Sequence, residues 1–104
     1  MSPNPSHKWL LNIQSNAQER FNRLTTVEKR VIFRHLQELL LADDPHTVPF
    51  VEMLQAKKFN RIHKFRAGNY RVFFAIEIAE TIHQNHTYKG TCFLLDIRDR
   101  KEAY

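Results

Sequence analysis

Gly68-Asn69 constrains this chain more than any other pair of residues. The chain has 104 residues and only two glycines. Glycine reaches φ > 0 at no steric cost, so a Gly-Asn pair between two apolar-rich stretches predicts a tight hairpin turn. Residues 59–66 and 69–78 are therefore read as the two strands of an antiparallel pair. They also carry much of the positive charge. Lys57, Lys58, Arg61, Lys64 and Arg66 lie before the turn, Arg71 follows it, and the sequence closes on Arg98-Asp99-Arg100-Lys101-Glu102-Ala103-Tyr104. Carboxylates are scarce among them. With a net charge of +5, such a patch suits a polyanion, of which RNA and DNA are the commonest in a cell.

The remaining elements follow from periodicity. Residues 1–6, with two prolines and nothing to bury, read as a flexible tail before a single domain over residues 7–104. Residues 8–14 predict a strand, with Trp9, Leu11 and Ile13 on one face. Ser15 with Gln18, and Thr25 with Glu28, are capping-box signals for two consecutive helices. Ala17, Phe21 and Leu24 form the buried stripe of the first. Val27, Val31, Ile32, Leu36, Leu39 and Leu40 form that of the second, which must stop by Asp43-Asp44-Pro45. Residues 47–55 fit either a short helical turn or an irregular crossing. The polar, histidine-rich stretch 79–90 reads as strand ends and a long loop. Residues 91–98 form the last strand, with Phe93, Leu95 and Ile97 alternating. The predicted class is α+β in the order β-α-α-β-β-β, a curved, mainly antiparallel sheet with an N-terminal helical hairpin on one face. Its core is expected to hold Leu11, Ile13, Phe21, Leu24, Val31, Leu36, Leu39, Phe65, Val72, Phe74, Phe93 and Leu95.

Several function classes lack their residues. A lone cysteine, Cys92, rules out an internal disulfide and fits a reducing cytoplasm. The first residues have no apolar core region of a signal peptide, and no apolar run approaches membrane-spanning length. There is no Gly-rich phosphate loop, and no serine follows Ser15 to serve a Ser-His-Asp arrangement. His83 and His86 have the spacing of a ligand pair, with Cys92 nearby, but a fourth ligand is missing, so no metal or other cofactor is expected.

Two segments carry a family resemblance. Arg66-Ala67-Gly68-Asn69-Tyr70-Arg71-Val72-Phe73-Phe74 resembles the Arg-x-Gly-Asp-Tyr-Arg-hydrophobic segment of the RelE/ParE toxin superfamily, and Asp99-Arg100-Lys101-Glu102-Ala103-Tyr104 resembles its terminal segment. The order of elements agrees, and so does the short element Val51-Glu52-Met53-Leu54 after a Leu-rich second helix. The resemblance spans residues 8–104. It implies the toxin half of a type II toxin–antitoxin pair, partnered by an acidic antitoxin. Many RelE-like members are mRNA interferases, endoribonucleases that cut mRNA on the ribosome, whereas ParE-like members poison DNA gyrase without chemistry. A third reading is a basic domain that only binds nucleic acid.

The residues themselves suit metal-free RNA cleavage. The 2′-hydroxyl must lose a proton as it attacks the adjacent phosphorus, the phosphorane-like oxygens need positive charge, and the 5′-oxygen must leave. Arg71 and Arg98 are candidate clamps, because a guanidinium meets phosphate oxygens with two parallel donors. Lys64 is a candidate base or point charge, and Tyr104 a candidate stacking or aligning group. By resemblance these four fall where RelE-like enzymes keep functional residues. Lys57, Lys58, Arg61, Arg66 and Arg100 are candidates for holding the substrate backbone. Where the family's enzymes often keep a second lysine, two positions before Lys64, this chain has Ile62.

Overall fold

The computed structural model describes residues 7–54 and 62–100. Lys57, Lys58, Arg61, Tyr104, the tail 1–6 and the first residues of the strand predicted over 59–66 lie outside the described residues. The elements are β1 (Trp9–Ile13), α1 (Ser15–Asn22), α2 (Thr26–Leu41), a 3-10 turn (Pro45–Thr47), β2 (Val51–Leu54), β3 (Ile62–Ala67), β4 (Tyr70–Glu77), β5 (Thr81–His83), β6 (His86–Tyr88) and β7 (Gly90–Asp99). Five strands form one sheet in the order β1-β7-β4-β3-β2. β1 runs parallel to β7, and the other neighbours are antiparallel. The chain thus leaves one edge through the helical hairpin and enters the other edge at β2. It meanders back to β4 and returns to slot β7 between β4 and β1. This is the predicted α+β class.

Local chemistry explains most of the boundaries. The hydroxyl of Thr25 accepts from the Glu28 backbone N–H and the Glu28 carboxylate accepts from that of Thr25, the reciprocal box expected at the start of α2. The matching signal at Ser15 is not used. Gln14 occupies the N-cap without a side-chain cap, and the Gln18 amide donates to Asn22 instead. Asp44 caps the 3-10 turn by accepting from the His46 N–H at 3.0 Å. Gly68 sits at φ +61° in the β3–β4 loop, the first-position geometry of a II′ hairpin turn. Residues 79–90, expected to be a loop, contain the β5–β6 hairpin. Gln84 and Asn85 at its tip have φ 49° and 63°, the two left-handed residues of a type I′ turn.

The core lies between the hairpin and one face of the sheet. Ile32, Leu36, Leu39 and Leu40 of α2, with Ala17 of α1, meet Phe65, Ala67, Val72, Phe74, Cys92, Leu94 and Ile97. Leu11, Ile13, Phe21, Leu24 and Val31 pack around this cluster as expected, but half-buried. Trp9 is buried, and its indole N–H donates to the Ala42 carbonyl at 2.8 Å, tying the end of α2 to β1.

Three apolar assignments need correction. Val27 is 69% exposed, because five residues before Ile32 is about 140° away from the buried stripe on a helix of 3.6 residues per turn. Phe93 and Leu95 are only half-buried, and Cys92 and Leu94 take the inward positions. The cause is a β-bulge. Phe73 pairs with Asp96 while Phe74 pairs with Leu94, so Leu95 has no partner in β4. The extra residue lets Leu94 and Ile97, three apart, both face the helices.

Gly90 is where β7 comes close to its neighbours. A Cβ there would stand 2.0 Å from the Glu77 carbonyl oxygen and 2.9 Å from the Trp9 ring. Gly90→Ala is expected to cost about 1–3 kcal/mol by overpacking, seen as a lower urea midpoint. An unchanged midpoint would mean that β1 and β4 yield freely at this end.

Candidate nucleic-acid interface

The face of the sheet opposite the hairpin is built by the alternate residues of the same strands. Register brings Arg66 of β3 opposite Arg71 of β4, and Arg71 opposite Arg98 of β7. Three arginines therefore form one row across three adjacent strands. Paired residues in a sheet point to the same side, with Cβ atoms roughly 5 Å apart, and like charges placed so are destabilising. A row of this kind is favourable when an anion lies across it. Arg71, at the centre, is 6% exposed, whereas Arg66 and Arg98 are exposed. The register partners of Arg71 on both neighbouring strands are arginines.

The next row holds Glu52, Lys64, Phe73 and Asp96 in register. The Lys64 amine stands 3.7 Å from Glu52. Asp96 holds Arg98 through an Nε–H bond of 2.7 Å to its Oδ2. The same carboxylate accepts from the Asn16 amide at 2.8 Å and lies 3.4 Å from the Arg20 Nε, so α1 fixes it from the edge. The Arg98 guanidinium stands 6.0 Å from the centre of the Phe73 ring. Arg98 is thus oriented from one side by a carboxylate and lies near an aromatic face.

The structure brings Lys64, Arg66, Arg71 and Arg98 together. It places Arg100 just beyond β7, exposed, with its backbone N–H donating to Asn69 beside the β3–β4 turn. Ile62 lies on the same face as Lys64, at the start of β3. Sequence reasoning missed Glu52 and the pairing of Asp96 with Arg98. Nothing in the local sequence marks either, because it is the assembled sheet that sets each carboxylate beside a site cation.

Other polar and aromatic side chains of the sheet and hairpins lie outside this row. Tyr70 packs against the core, and its side chain bonds Glu28, helping to hold that carboxyl below its usual range after the stronger effect of the Thr25 backbone N–H. His63 is buried at an inward position against Phe74 and His46, with ring centres 5.6 and 4.3 Å away. His83 and His86 face each other across the β5–β6 pair. Among the described residues no three His, Cys, Asp or Glu side chains come together as a metal site. Cys92 is fully buried, and burial pushes its thiol up to about 12. It is expected not to react with a thiol reagent in the native protein and to react fully in concentrated guanidinium. Fast native-state labelling would show that β7 opens readily.

No family model matches the sequence, and no curated protein matches it. Among solved structures, it is similar to a chain of the archaeal RelE–RelB complex from Pyrococcus horikoshii OT3, with a TM-score of 0.63 over 89% of this chain and 96% of that one. Identity is 15%, so what the two share is the fold. The class defined here is a RelE-like α+β fold bearing a three-arginine row on its helix-free face. Among the described residues no helix is long and apolar enough to cross a membrane.

Proposed function

We propose that this protein is the toxin of a type II toxin–antitoxin pair and acts in the cytoplasm as a metal-independent, ribosome-dependent mRNA endoribonuclease. The observation that carries the proposal is the row Arg66, Arg71, Arg98 on a RelE-like sheet. In this reading the 2′-hydroxyl attacks the adjacent phosphorus, the bond to the 5′-oxygen breaks, and a 2′,3′-cyclic phosphate forms. Arg71 and Arg98 supply paired N–H donors to the non-bridging oxygens as charge builds there. Arg66 and Arg100 hold the flanking backbone, and Tyr104 aligns the substrate. The Glu52 ion pair favours Lys64 as a fixed charge over Lys64 as the base, and it sets a carboxylate within reach of the same face to accept the hydroxyl proton.

The partner in this reading is an acidic antitoxin that shields the Lys64/Arg71/Arg98 surface. Net charge of +5 supports it. So does a groove of about 350 Å³ on the hairpin, across the sheet from the arginine row, where Lys29, Arg30 and Arg34 surround Phe21 and Phe33 and no carboxylate of the described residues contributes to the lining. Phe33 is 46% exposed there, a surface that suits an acidic amphipathic segment. An antitoxin that covers both surfaces wraps around the domain. Ile62, an apolar residue where RelE-like enzymes often carry a lysine, favours the competing reading of a gyrase inhibitor that performs no chemistry.

One experiment separates the two. The purified protein is added to a translating extract and, in parallel, to a gyrase supercoiling reaction. Cuts within translated mRNA, with supercoiling untouched, are expected. Intact mRNA with blocked supercoiling would replace the nuclease by the gyrase reading.

A further inference from the structure

The helix-free face carries two phenylalanines that the charge argument leaves unused. Phe73 sits on β4 between Lys64 and Asp96, and Phe93 on β7 opposite Ala75. Both are half-buried, and neither belongs to the core cluster beneath the helices. They lie on adjacent strands of the sheet interior, one diagonal step apart, a spacing of about 7–8 Å between backbones. Phe73 also has a cation fixed beside it. The Arg98 guanidinium stands 6.0 Å from its ring centre and is held by Asp96 at 2.7 Å. The arginine row lies one step along the face from Phe73 and two steps from Phe93.

We infer that this face is a stacking platform for the unpaired bases of single-stranded RNA, with Phe73 and Phe93 receiving bases while Arg66, Arg71 and Arg98 follow the phosphates. The choice of RNA among polyanions rests on the nuclease reading above. The physical reasons are independent of it. Aromatic side chains on adjacent strands of an open sheet accept two or three splayed bases, and a guanidinium plane accepts one as well. A base has two π faces and stacks whatever its identity, so the platform tolerates sequence. A duplex keeps its bases stacked on each other and offers a flat sheet only phosphates. The platform therefore prefers a single strand to a duplex, and its aromatic contribution is separable from its electrostatic one. Phosphate contacts set how steeply affinity falls with salt, and stacking does not.

The test uses the full chain and a short fluorescent RNA with 2′-O-methyl groups, which cannot be cut because the attacking hydroxyl is blocked. Fluorescence anisotropy over a salt series compares this strand with its duplex. Phe73→Ala and Phe93→Ala are each expected to weaken binding roughly five- to hundredfold, with the salt slope unchanged. Arg66→Ala should reduce the slope by about 1. Phe73→Leu keeps an apolar side chain without a π face, so it should bind as weakly as the alanine variant while remaining folded, and Phe73→Trp should restore binding. Wild-type affinity in the folded leucine and alanine variants overturns the inference. So does equal affinity for strand and duplex, or no binding of the strand by the wild-type protein. Binding is read here without cleavage. A protein that shows this aromatic dependence yet cuts no mRNA keeps the platform and loses the nuclease reading, whereas one that cuts mRNA through folded Phe73→Leu at full rate and affinity loses the platform alone.

Discussion

Phe74→Ala is expected to remove about 3–5 kcal/mol of folding stability, while Phe93→Ala on the neighbouring strand removes less than about 1 kcal/mol. The two residues are the same type and both lie in the middle of the sheet. The difference is the face. Phe74 is fully buried, with the Phe65 and His63 rings 6.0 and 5.6 Å away, so truncation leaves a cavity that packed neighbours fill only in part. Phe93 points away from the helices and leaves no comparable void. A domain of this length has about 5–15 kcal/mol of total stability at 0.05–0.15 kcal/mol per residue. The Phe74 variant is therefore expected to lose a large share of it, and at the lower end to unfold. Urea denaturation followed by far-ultraviolet circular dichroism measures both. Equal losses would mean that Phe93 is core, and that the β7 bulge does not separate the two faces as described.

That bulge also marks the limit of what the sequence discloses. Alternation over residues 91–98 assigns Phe93, Leu95 and Ile97 to one face, but alternation assumes an unbroken ladder. With Leu95 unpaired, only Ile97 of the three turns inward. The Gly68-Asn69 turn was legible because glycine at φ +61° is the residue such a turn selects. The β5–β6 turn was not, because Gln84 and Asn85 adopt the same left-handed region without a glycine to announce it. Thr25 and Ser15 carry the same capping pattern, yet only Thr25 is used, since Gln14 already occupies the cap of α1. Strand β2 is four residues long and follows a proline-bounded turn, too short for a period to declare itself.

The candidate site divides along the same line. Each arginine of the row was identifiable on its own, from charge and from the motifs around it. That Arg66, Arg71 and Arg98 form one line is a statement about register across three strands, and positions 66, 71 and 98 share no sequence period. The pairing of Asp96 with Arg98 and of Glu52 with Lys64 was invisible for the same reason. Each acid is an unremarkable carboxylate until the sheet sets it beside Arg98 or Lys64. Local chemistry writes turns and caps into the sequence. Cross-strand pairing, which builds this site, is written only in the assembled sheet.

In the proposed nuclease, Arg71→Ala is expected to lower mRNA cutting about 10²- to 10³-fold, the loss of about 2.7–4 kcal/mol that follows removal of one donor aimed at developing charge. Arg71 is the member of the row with the strongest claim. It is flanked on both sides by arginines and is buried, so its charge acts where solvent screens least. Arg71→Lys keeps the charge and loses the planar fork, and it should remain well below wild type. Arg66→Ala should cost less, because Arg66 is exposed at the end of the row and serves the backbone beyond the reacting phosphate. Asp96→Asn should fall between them. It leaves the Arg98 side chain in place but removes the anion that orients it. Each variant is first checked for a native melting profile, since truncating a buried arginine can itself unsettle the sheet. Primer extension on ribosome-bound message then measures cutting, and growth arrest on induced expression gives a second readout. The order Arg71→Ala, Asp96→Asn, Arg66→Ala, from most to least impaired, is the signature of a clamp centred on β4. A folded Arg71→Ala protein that cuts at near wild-type rate removes Arg71 from the mechanism, and with it the reason for placing the scissile phosphate over the middle of the row.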